Sequence, residues 1–199
     1  MHYAMGKIAG QFMEFHPFDI VGPIEIQPRR MSDERGYFSE TFRANRLLEA
    51  IGEHEFVQEN ESLSHAAGTI RGLHFQTEPF AQGKLVRCLA GAIFDVAVDL
   101  RCGSPTFGRW QSVTLSAELG NQLWIPVGFA HGFCTLEPDS VVAYKVTAYY
   151  SPEHEGGLAW DDCDIAIGWP DIANLGTLSA KDRVQPRLAQ LPELFRMEG

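Results

Sequence analysis

The chain has 199 residues, of which 45% are apolar, and 16 Lys plus Arg against 26 Asp plus Glu give a formal net charge of −10 at pH 7. That length suits one domain with a full hydrophobic core. The acidic balance disfavours nucleic acid and anionic membranes as partners, so an anionic substrate would need a local pocket of Arg and Lys.

The start of the chain lacks the apolar core of a secretory signal, and no apolar run reaches the ~18–20 residues of a membrane span. We interpret residues 1–15 as a leader or a cloning addition and predict a single domain over residues 16–199. The four cysteines, with no CxxC pair, are typical of reduced, buried thiols rather than of a zinc site. A cytoplasmic location is therefore expected.

Short apolar or alternating segments recur between turn residues and predict strands. In chain order the predicted strands are Ile20–Gln27, Gly36–Phe42, Glu55–Leu63, Thr69–Phe75, Lys84–Leu89, Ala92–Asp99, Trp110–Leu115, Gln122–Pro126, His131–Leu136 and Val141–Thr147. One helix is predicted at Arg43–Ile51, with Gly52 as its end, and the tail after Asp161 is predicted to be irregular. Many short strands and few helices predict an all-β sandwich or barrel.

The segment Pro126–His131 has the PxGxxH spacing that is found in jelly-roll cupins. A metal-binding cupin would also carry a His-x-His pattern with a glutamate upstream, whereas the corresponding place here is His74–Gln76. A first-row metal needs three or four well-placed ligands. The sequence therefore predicts a double-stranded β-helix, or cupin-like jelly roll, without a metal.

A histidine and a lysine lie close in sequence on neighbouring extended segments. His74 is part of Gly68–Gln76, and Lys84 is part of Gln82–Arg87. A base beside a fixed cation is the arrangement that proton abstraction next to a carbonyl requires. The pair predicts an enzyme that forms and stabilises an enolate.

Eleven motifs occur in order along the chain. They are Met31–Phe42, Phe56–Asn60, Arg71–Gln76, Gln82–Arg87, Phe94–Asp99, Ser104–Gly108, Leu123–Pro126, Gly128–Phe133, Tyr144–Lys145, Tyr149–Pro152 and Leu178–Asp182. From about Ile20 to Pro186 the chain closely resembles the dTDP-4-dehydrorhamnose 3,5-epimerase family.

The resemblance implies a jelly-roll homodimer that needs no metal or other cofactor and acts on a dTDP-linked 4-keto-6-deoxy sugar. It implies that His74 is the base and Tyr144 the acid on the opposite face of the sugar. Asp182 would be the partner of His74, and Lys84 would lie at the 4-keto oxygen. The chemistry agrees, because a C4 ketone acidifies the protons on C3 and C5, and an ammonium stabilises the enolate charge where it develops.

A further set of polar residues falls where the family contacts its substrate. These are Arg35, Glu40, Gln58, Glu59, Asn60, Arg71, His131, Glu155 and Lys181. Glu59 departs from the Gln-Asp-Asn triplet that we expect there, although it keeps the acid. For His131 two roles stay open, a substrate contact or a brace of the pocket.

Three other functions remain as alternatives. The first is an epimerase that acts at one carbon only, or on a related nucleotide 4-keto sugar. The second is a metal-dependent cupin oxygenase or isomerase, which the ligand count opposes. The third is a module that binds a nucleotide sugar without chemistry, which the acid–base set opposes.

Overall fold

Strands make up most of the regular structure in the computed structural model, which describes residues 12–197. They are β1 (Met13–Pro17), β2 (Ile24–Pro28), β3 (Arg30–Asp33), β4 (Gly36–Ser39), β5 (Gln58–Ser64), β6 (Ile70–Gln76), β7 (Lys84–Ala90), β8 (Ala92–Asp99), β9 (Arg101–Cys102), β10 (Trp110–Ser116), β11 (Gln122–Ile125), β12 (Phe129–Thr135), β13 (Ser140–Val146), β14 (Glu155–Gly157) and β15 (Phe195–Arg196). The described part of the chain has one α-helix, α1 (Ala44–Ile51).

The strands form two large sheets that face each other. The six-stranded sheet has the order β1-β2-β11-β7-β13-β5, and the five-stranded sheet has the order β10-β8-β12-β6-β14. Every pairing within these two sheets is antiparallel. The predicted all-β jelly-roll class is confirmed.

The main core fills the space between the two sheets, because alternate side chains of each strand point to the same face. Val86 and Val142 from the six-stranded sheet pack with Ile93 and Phe133 from the five-stranded sheet. This alternation also decides which polar residues face inward. Any polar side chain in phase with these apolar ones lies between the sheets.

The outer face of each sheet is covered by other parts of the chain. Leu73 and Val96, on the outer face of the five-stranded sheet, pack with Leu158 and Ile165 from the C-terminal part of the chain. On the outer face of the six-stranded sheet, Leu47 of α1 packs with Trp124. Since both outer faces are covered, a pocket is expected between the inner faces of the two sheets.

Helix α1 begins one residue later than predicted and ends as predicted. Gly52 has φ of +85°, and its N–H donates to the carbonyl of Leu48 at 3.1 Å. A glycine adopts this conformation without the steric cost of a Cβ, so it ends the helix. No helix among residues 12–197 is long and apolar enough to cross a membrane.

Most predicted strands are present, with shifts at their ends. The strand predicted at Ile20–Gln27 begins at Ile24, and the one predicted at Gly36–Phe42 ends at Ser39. The prediction missed the short strands β1, β3, β9, β14 and β15. These have two to five residues, too few for a clear alternation of apolar and polar positions.

The predicted leader, residues 1–15, is only partly described. Residues 1–11 lie outside the described part of the chain. Met13, Glu14 and Phe15 belong to β1, which pairs with β2, and Met13 is buried. The division into a leader and a domain over residues 16–199 stays a prediction.

Candidate active site

The inner faces of the two sheets bring together the predicted acid–base residues. Lys84 on β7 and Tyr144 on β13 are in phase with the inward valines of the six-stranded sheet. His74 on β6 and His131 on β12 belong to the five-stranded sheet, where they are register partners. Two opposed walls thus carry the candidate catalytic side chains.

Two glycines allow β6 and β12 to approach closely beside these histidines. A Cβ on Gly72 would lie 2.6 Å from the Cα of Gly132, and one on Gly132 would lie 2.8 Å from the carbonyl of Arg71. Gly72 also has φ of +118°, a conformation that favours glycine. We infer that the glycines in the two motifs set the spacing between His74 and His131.

His74 forms a tight pair with Asp182. The Nε2 atom of His74 lies 2.6 Å from Oδ1 of Asp182, whose side chain is only 4% exposed. Burial would raise the pKa of Asp182, but the hydrogen bond and charge of His74 outweigh it and hold that pKa below its usual value. Because an ionised carboxylate only accepts, Nε2 carries the proton and Nδ1 keeps the lone pair of a base.

Asp182 reaches His74 from a short 3-10 turn, Asp182–Val184, in the irregular tail. Its backbone N–H donates to the hydroxyl of Ser179 at 3.1 Å. The turn thus fixes the carboxylate from a segment that has no sheet pairing of its own. The structure brings together the base and the partner that the resemblance implied.

We expect Asp182→Asn to lower kcat by about 10²-fold and to change KM by no more than about threefold, because an amide no longer fixes the tautomer or stabilises the imidazolium. Steady-state kinetics measure both constants. Asp139→Asn is the matched control, because Asp139 pairs with the exposed His65 at 2.8 Å. A rise in KM with unchanged kcat would instead make Asp182 a substrate contact.

Lys84 places a buried ammonium beside the base. Its Nζ donates to the carbonyl of His74 at 3.3 Å, and its side chain is buried. Burial lowers its pKa to about 8, against the nearby charges of Asp95 and Glu155, which raise it. A cation fixed in this way can stabilise an oxyanion that forms on a substrate bound beside His74.

We expect kcat/KM to fall as the pH rises through about 8, because the lowered pKa of Lys84 means that its ammonium is lost there. A pH profile of kcat/KM measures this limb in the free enzyme. In Lys84→Arg the residual activity should lack the limb, since a guanidinium stays protonated at any accessible pH. An unchanged limb in that variant would assign it to another group.

Tyr144 is half-buried on the opposite wall and packs against the main core. Burial raises its pKa, and the charge of Arg71 only partly opposes this shift. The phenol therefore keeps its proton at neutral pH. A protonated hydroxyl on the sheet opposite the one that carries His74 is suited to deliver a proton.

His131 has an acid partner that the sequence analysis did not identify. Its Nε2 lies 2.7 Å from Oδ1 of Asp95 on β8, and both side chains are buried. Burial lowers the pKa of His131, against the opposing charge and hydrogen bond of Asp95. The signal for Asp95 was an acid in phase with the inward apolar residues of a buried strand. This geometry favours the bracing role for His131.

Glu155 and Lys181 form an ion pair at the rim of the site. Burial would raise the pKa of Glu155, but the hydrogen bonds from Lys181 and Tyr150 outweigh it and lower that pKa. Glu155 lies on β14, which pairs with β6, the strand that carries His74. Both predicted substrate residues therefore belong to the same cluster as the base.

Three more predicted residues lie along the same edge of the sheets. Gln58 and Asn60 are in phase with Tyr144, the register partner of Asn60, and Gln58 donates to Asn60 at 2.8 Å. The guanidinium of Arg71 donates to the hydroxyl of Ser64 at 3.0 Å and acts on the charge state of Tyr144. Arg71 is exposed and so offers a cation for a diphosphate.

The structure does not bring Arg35, Glu40 and Glu59 to this cluster. The side chain of Arg35 is 84% exposed and pairs with Asp33 on its own hairpin. Glu40 pairs with Arg43 at 3.2 Å.

Glu59 pairs with Lys145 at 2.8 Å on the outer face of the six-stranded sheet. It lies there because one residue along a strand reverses the side chain, so Glu59 points away from Gln58 and Asn60. Within one chain Glu59 therefore faces away from Tyr144, and its contact with substrate stays a prediction.

The donor set for a metal is different from that of a metal cupin. Among residues 12–197, one group of three potential ligands lies within 4.8 Å: the buried Asp162 with the exposed Cys163 and Asp164. His74 and His131 each hold a carboxyl group at Nε2 instead. The imidazoles of the site are committed to acid partners.

Comparison with known proteins gives one family. A family model described as dTDP-4-dehydrorhamnose 3,5-epimerase matches residues 17–190. The dTDP-4-dehydrorhamnose 3,5-epimerase of Sinorhizobium fredii (strain NBRC 101917 / NGR234) is 56% identical over 192 residues, which cover 96% of this chain and 98% of that protein.

Two solved structures are similar over nearly their whole length. The dTDP-6-deoxy-D-glucose-3,5-epimerase of Legionella pneumophila Philadelphia 1, in complex with dTDP-4-keto-L-rhamnose, is 44% identical with a TM-score of 0.88, and the match covers 94% of this chain and 100% of that one. The dTDP-4-dehydrorhamnose 3,5-epimerase of Bacillus anthracis str. Ames, with TDP and PPi bound, is 48% identical with a TM-score of 0.83 and covers 88% and 99%.

Proposed function

The chain belongs to the dTDP-4-dehydrorhamnose 3,5-epimerase family, and we propose that it inverts C3 and C5 of dTDP-4-dehydro-6-deoxy-D-glucose to give dTDP-4-dehydro-L-rhamnose. The single observation that carries the proposal is the pairing of the His74–Asp182 dyad with a buried ammonium, Lys84, across from a protonated Tyr144. The bound sugar of the Legionella relative supports the same substrate class.

In the first step Nδ1 of His74 removes a proton from a carbon next to the 4-keto group. The Nε2–H of His74 stays hydrogen-bonded to the carboxylate of Asp182, which stabilises the imidazolium as it forms. The electron pair of the broken C–H bond moves into the enolate. The dyad therefore supplies both the base and its orientation.

The enolate charge develops on the former carbonyl oxygen. Lys84 holds its ammonium next to His74, and the Lys84 side chain is buried. Electrostatic stabilisation is stronger in such a site than in bulk water. Lys84 therefore lowers the barrier to proton removal.

Inversion then requires a proton from the other face of the sugar ring. Tyr144 comes from the six-stranded sheet, whereas His74 comes from the five-stranded sheet. A flat enolate between the two sheets would present one face to each residue. Delivery of the phenolic proton gives the inverted centre. Before the second carbon reacts, the imidazolium releases its proton to solvent and the tyrosinate takes one up, so the same residues serve both carbons.

We propose that this chemistry needs no cofactor. The base, the oxyanion cation and the acid are all side chains of the protein, and proton transfers leave the oxidation state of the sugar unchanged. Among residues 12–197, no third potential ligand joins His74 and His131 in a metal-sized group, and this ligand count supports a mechanism without a metal.

The function is tested by proton NMR of the 4-keto sugar nucleotide and the protein in D2O, with and without EDTA. We expect deuterium at both C3 and C5 and accumulation of the inverted sugar, with the same rate in EDTA. Exchange at one carbon alone would identify a single-carbon epimerase. Loss of activity in EDTA that a divalent ion restores would identify a metal-dependent cupin.

We also propose that the protein is a homodimer in which the β3–β4 hairpin serves the partner's site. Tyr37 and Phe38 on this hairpin are 59% and 67% exposed. Exposed aromatic side chains of this kind are typical of a surface that a partner covers. Arg35 at its tip is an exposed cation outside the cluster of its own chain. Such an arm could bring Arg35 and Glu40 to the partner's site, where the guanidinium of Arg35 would meet the diphosphate.

We expect light scattering at micromolar concentration to give the mass of two chains, about twice 22.2 kDa. The Phe38→Asp variant should dissociate or bind the nucleotide more weakly, because a charge would be buried at the interface. A wild-type protein that stays monomeric would contradict this assembly.

We propose a cytoplasmic location as well. The four cysteines, all of which lie in the described part of the chain, are free, and free thiols are typical of a reducing compartment. The acidic surface agrees with a protein that meets neither nucleic acid nor membrane.

A further inference from the structure

One short backbone segment, Tyr149–Ser151, is held by side chains from both sheets. Gln76, the last residue of β6, is 4% exposed. Its Nε2 donates to the carbonyl of Tyr149 at 3.2 Å and to that of Phe80 at 2.7 Å, and its Oε1 accepts the N–H of Ser151 at 2.8 Å. Both N–H donors and one lone pair of this buried amide are therefore used on loop backbone.

A second amide holds the same segment from the six-stranded sheet. The Oε1 of Gln58 on β5 accepts the N–H of Tyr150 at 3.0 Å. Two glutamines on two different sheets thus fix consecutive backbone groups of one segment. The segment cannot shift without breaking bonds to both walls of the site.

One side chain of this segment, Tyr150, contacts the Glu155–Lys181 ion pair of the candidate site. The hydroxyl of Tyr150 donates to Oε2 of Glu155 at 3.0 Å, and the other oxygen of Glu155 pairs with Lys181. Glu155 is also the register partner of Gln76 across β14 and β6. Both the strand pairing and the Tyr150 hydroxyl therefore tie the carboxylate of Glu155 to the position of Gln76.

We propose that Gln76 is a positioning residue of the active site, which acts by holding Tyr149–Ser151 so that Tyr150 fixes the Glu155 carboxylate toward the bound nucleotide sugar. The inference rests on the proposed function, since it treats Glu155 as a ligand contact. Gln76 itself does not touch the reacting atoms. The simpler role is structural, in which the amide only satisfies three buried backbone groups.

The test is a double-mutant cycle with Gln76→Met, which keeps the length of the side chain and removes its hydrogen bonds, and Tyr150→Phe. We expect each variant to raise KM roughly tenfold and to leave kcat within about threefold, because ground-state and transition-state binding weaken together. In the double variant KM should stay close to that of the worse single variant, because Gln76 acts through Tyr150. If the KM increase of the double variant equals the product of the two single increases, the proposal is overturned and Gln76 has a structural role only.

Tyr150→Phe keeps the test valid if Gln76→Met does not fold. Tyr150 is 54% exposed, so loss of its hydroxyl does not threaten the fold, and an unchanged KM in this variant would overturn the proposal. Gln27→Met is the matched control, since the Nε2 of Gln27 donates to the carbonyl of Leu119 at 3.0 Å in another loop. Its KM should equal that of the wild type.

Failure of the proposed function gives a different pattern. If the wild-type protein does not act on the 4-keto sugar, amide hydrogen exchange on the unliganded protein decides whether Gln76 holds the segment Tyr149–Ser151. Faster exchange in Gln76→Met at Tyr150 and Ser151, but not at the strands, supports it. Unchanged exchange at these two amides overturns it.

Discussion

His74→Asn is expected to lower kcat by roughly 10²–10⁴-fold, the range for a lost general base. Asparagine cannot accept a proton at the position of Nδ1, so the enolate does not form at a useful rate. Affinity for the nucleotide should be retained, because His74 is proposed to act on the sugar ring. The diphosphate is proposed to bind the exposed Arg71 instead. Steady-state kinetics and calorimetric binding of thymidine diphosphate measure the two quantities.

The matched control is His65→Asn. His65 also pairs with an aspartate, Asp139 at 2.8 Å, but its side chain is 81% exposed. The control separates the loss of an imidazole–carboxylate pair in general from the loss of this one. Near-normal turnover of folded His74→Asn would remove His74 from the mechanism.

The alternation of apolar and polar residues predicted the two strands that carry the proposed base and the proposed oxyanion cation. His74 and Lys84 were expected on neighbouring extended segments, and they lie on β6 and β7. The sequence did not indicate that the chain crosses from one sheet to the other between them. Lys84 therefore reaches the carbonyl of His74 from the opposite sheet, across the core.

Asp182 could not be derived from local pattern. It lies 108 residues from His74 in a tail without periodic structure. A contact at that separation depends on how the tail folds over the sheets, and no local propensity encodes it. Only the resemblance to a family implied the pairing that the structure contains.

Glu59 is the opposite case, because the sequence held the information that separates it from its neighbours. A strand turns successive side chains to opposite faces, so Gln58, Glu59 and Asn60 cannot all face one pocket. Pairing of Glu59 with Lys145 on the outer face follows from this period. Asp95 would have followed from the same rule, as an inward acid between inward apolar residues.

The strands that the sequence analysis missed are those with little burial pattern of their own. β3 is mostly exposed, and β14 has three residues. Their pairing comes from partners elsewhere, such as β6 for β14. Local sequence does not specify a strand of this kind, because the stabilising contacts are tertiary.

Tyr144→Phe is expected to lower the rate of inversion by roughly 10²–10⁴-fold, because the acid on the face opposite His74 is lost. Proton removal should be affected far less. His74 and Lys84 still form the enolate, and the side chain of His74 is 31% exposed, so its proton can exchange with solvent. Incubation in D2O with proton NMR measures exchange and inversion in one sample.

The two variants should therefore differ in kind. In His74→Asn both exchange and inversion fall, since no enolate forms. In Tyr144→Phe exchange continues at an acidified carbon with its original configuration, because deuterium returns from the His74 side. Equal losses of exchange and inversion in Tyr144→Phe would make Tyr144 a positioning residue, and a water or another side chain would then be the acid.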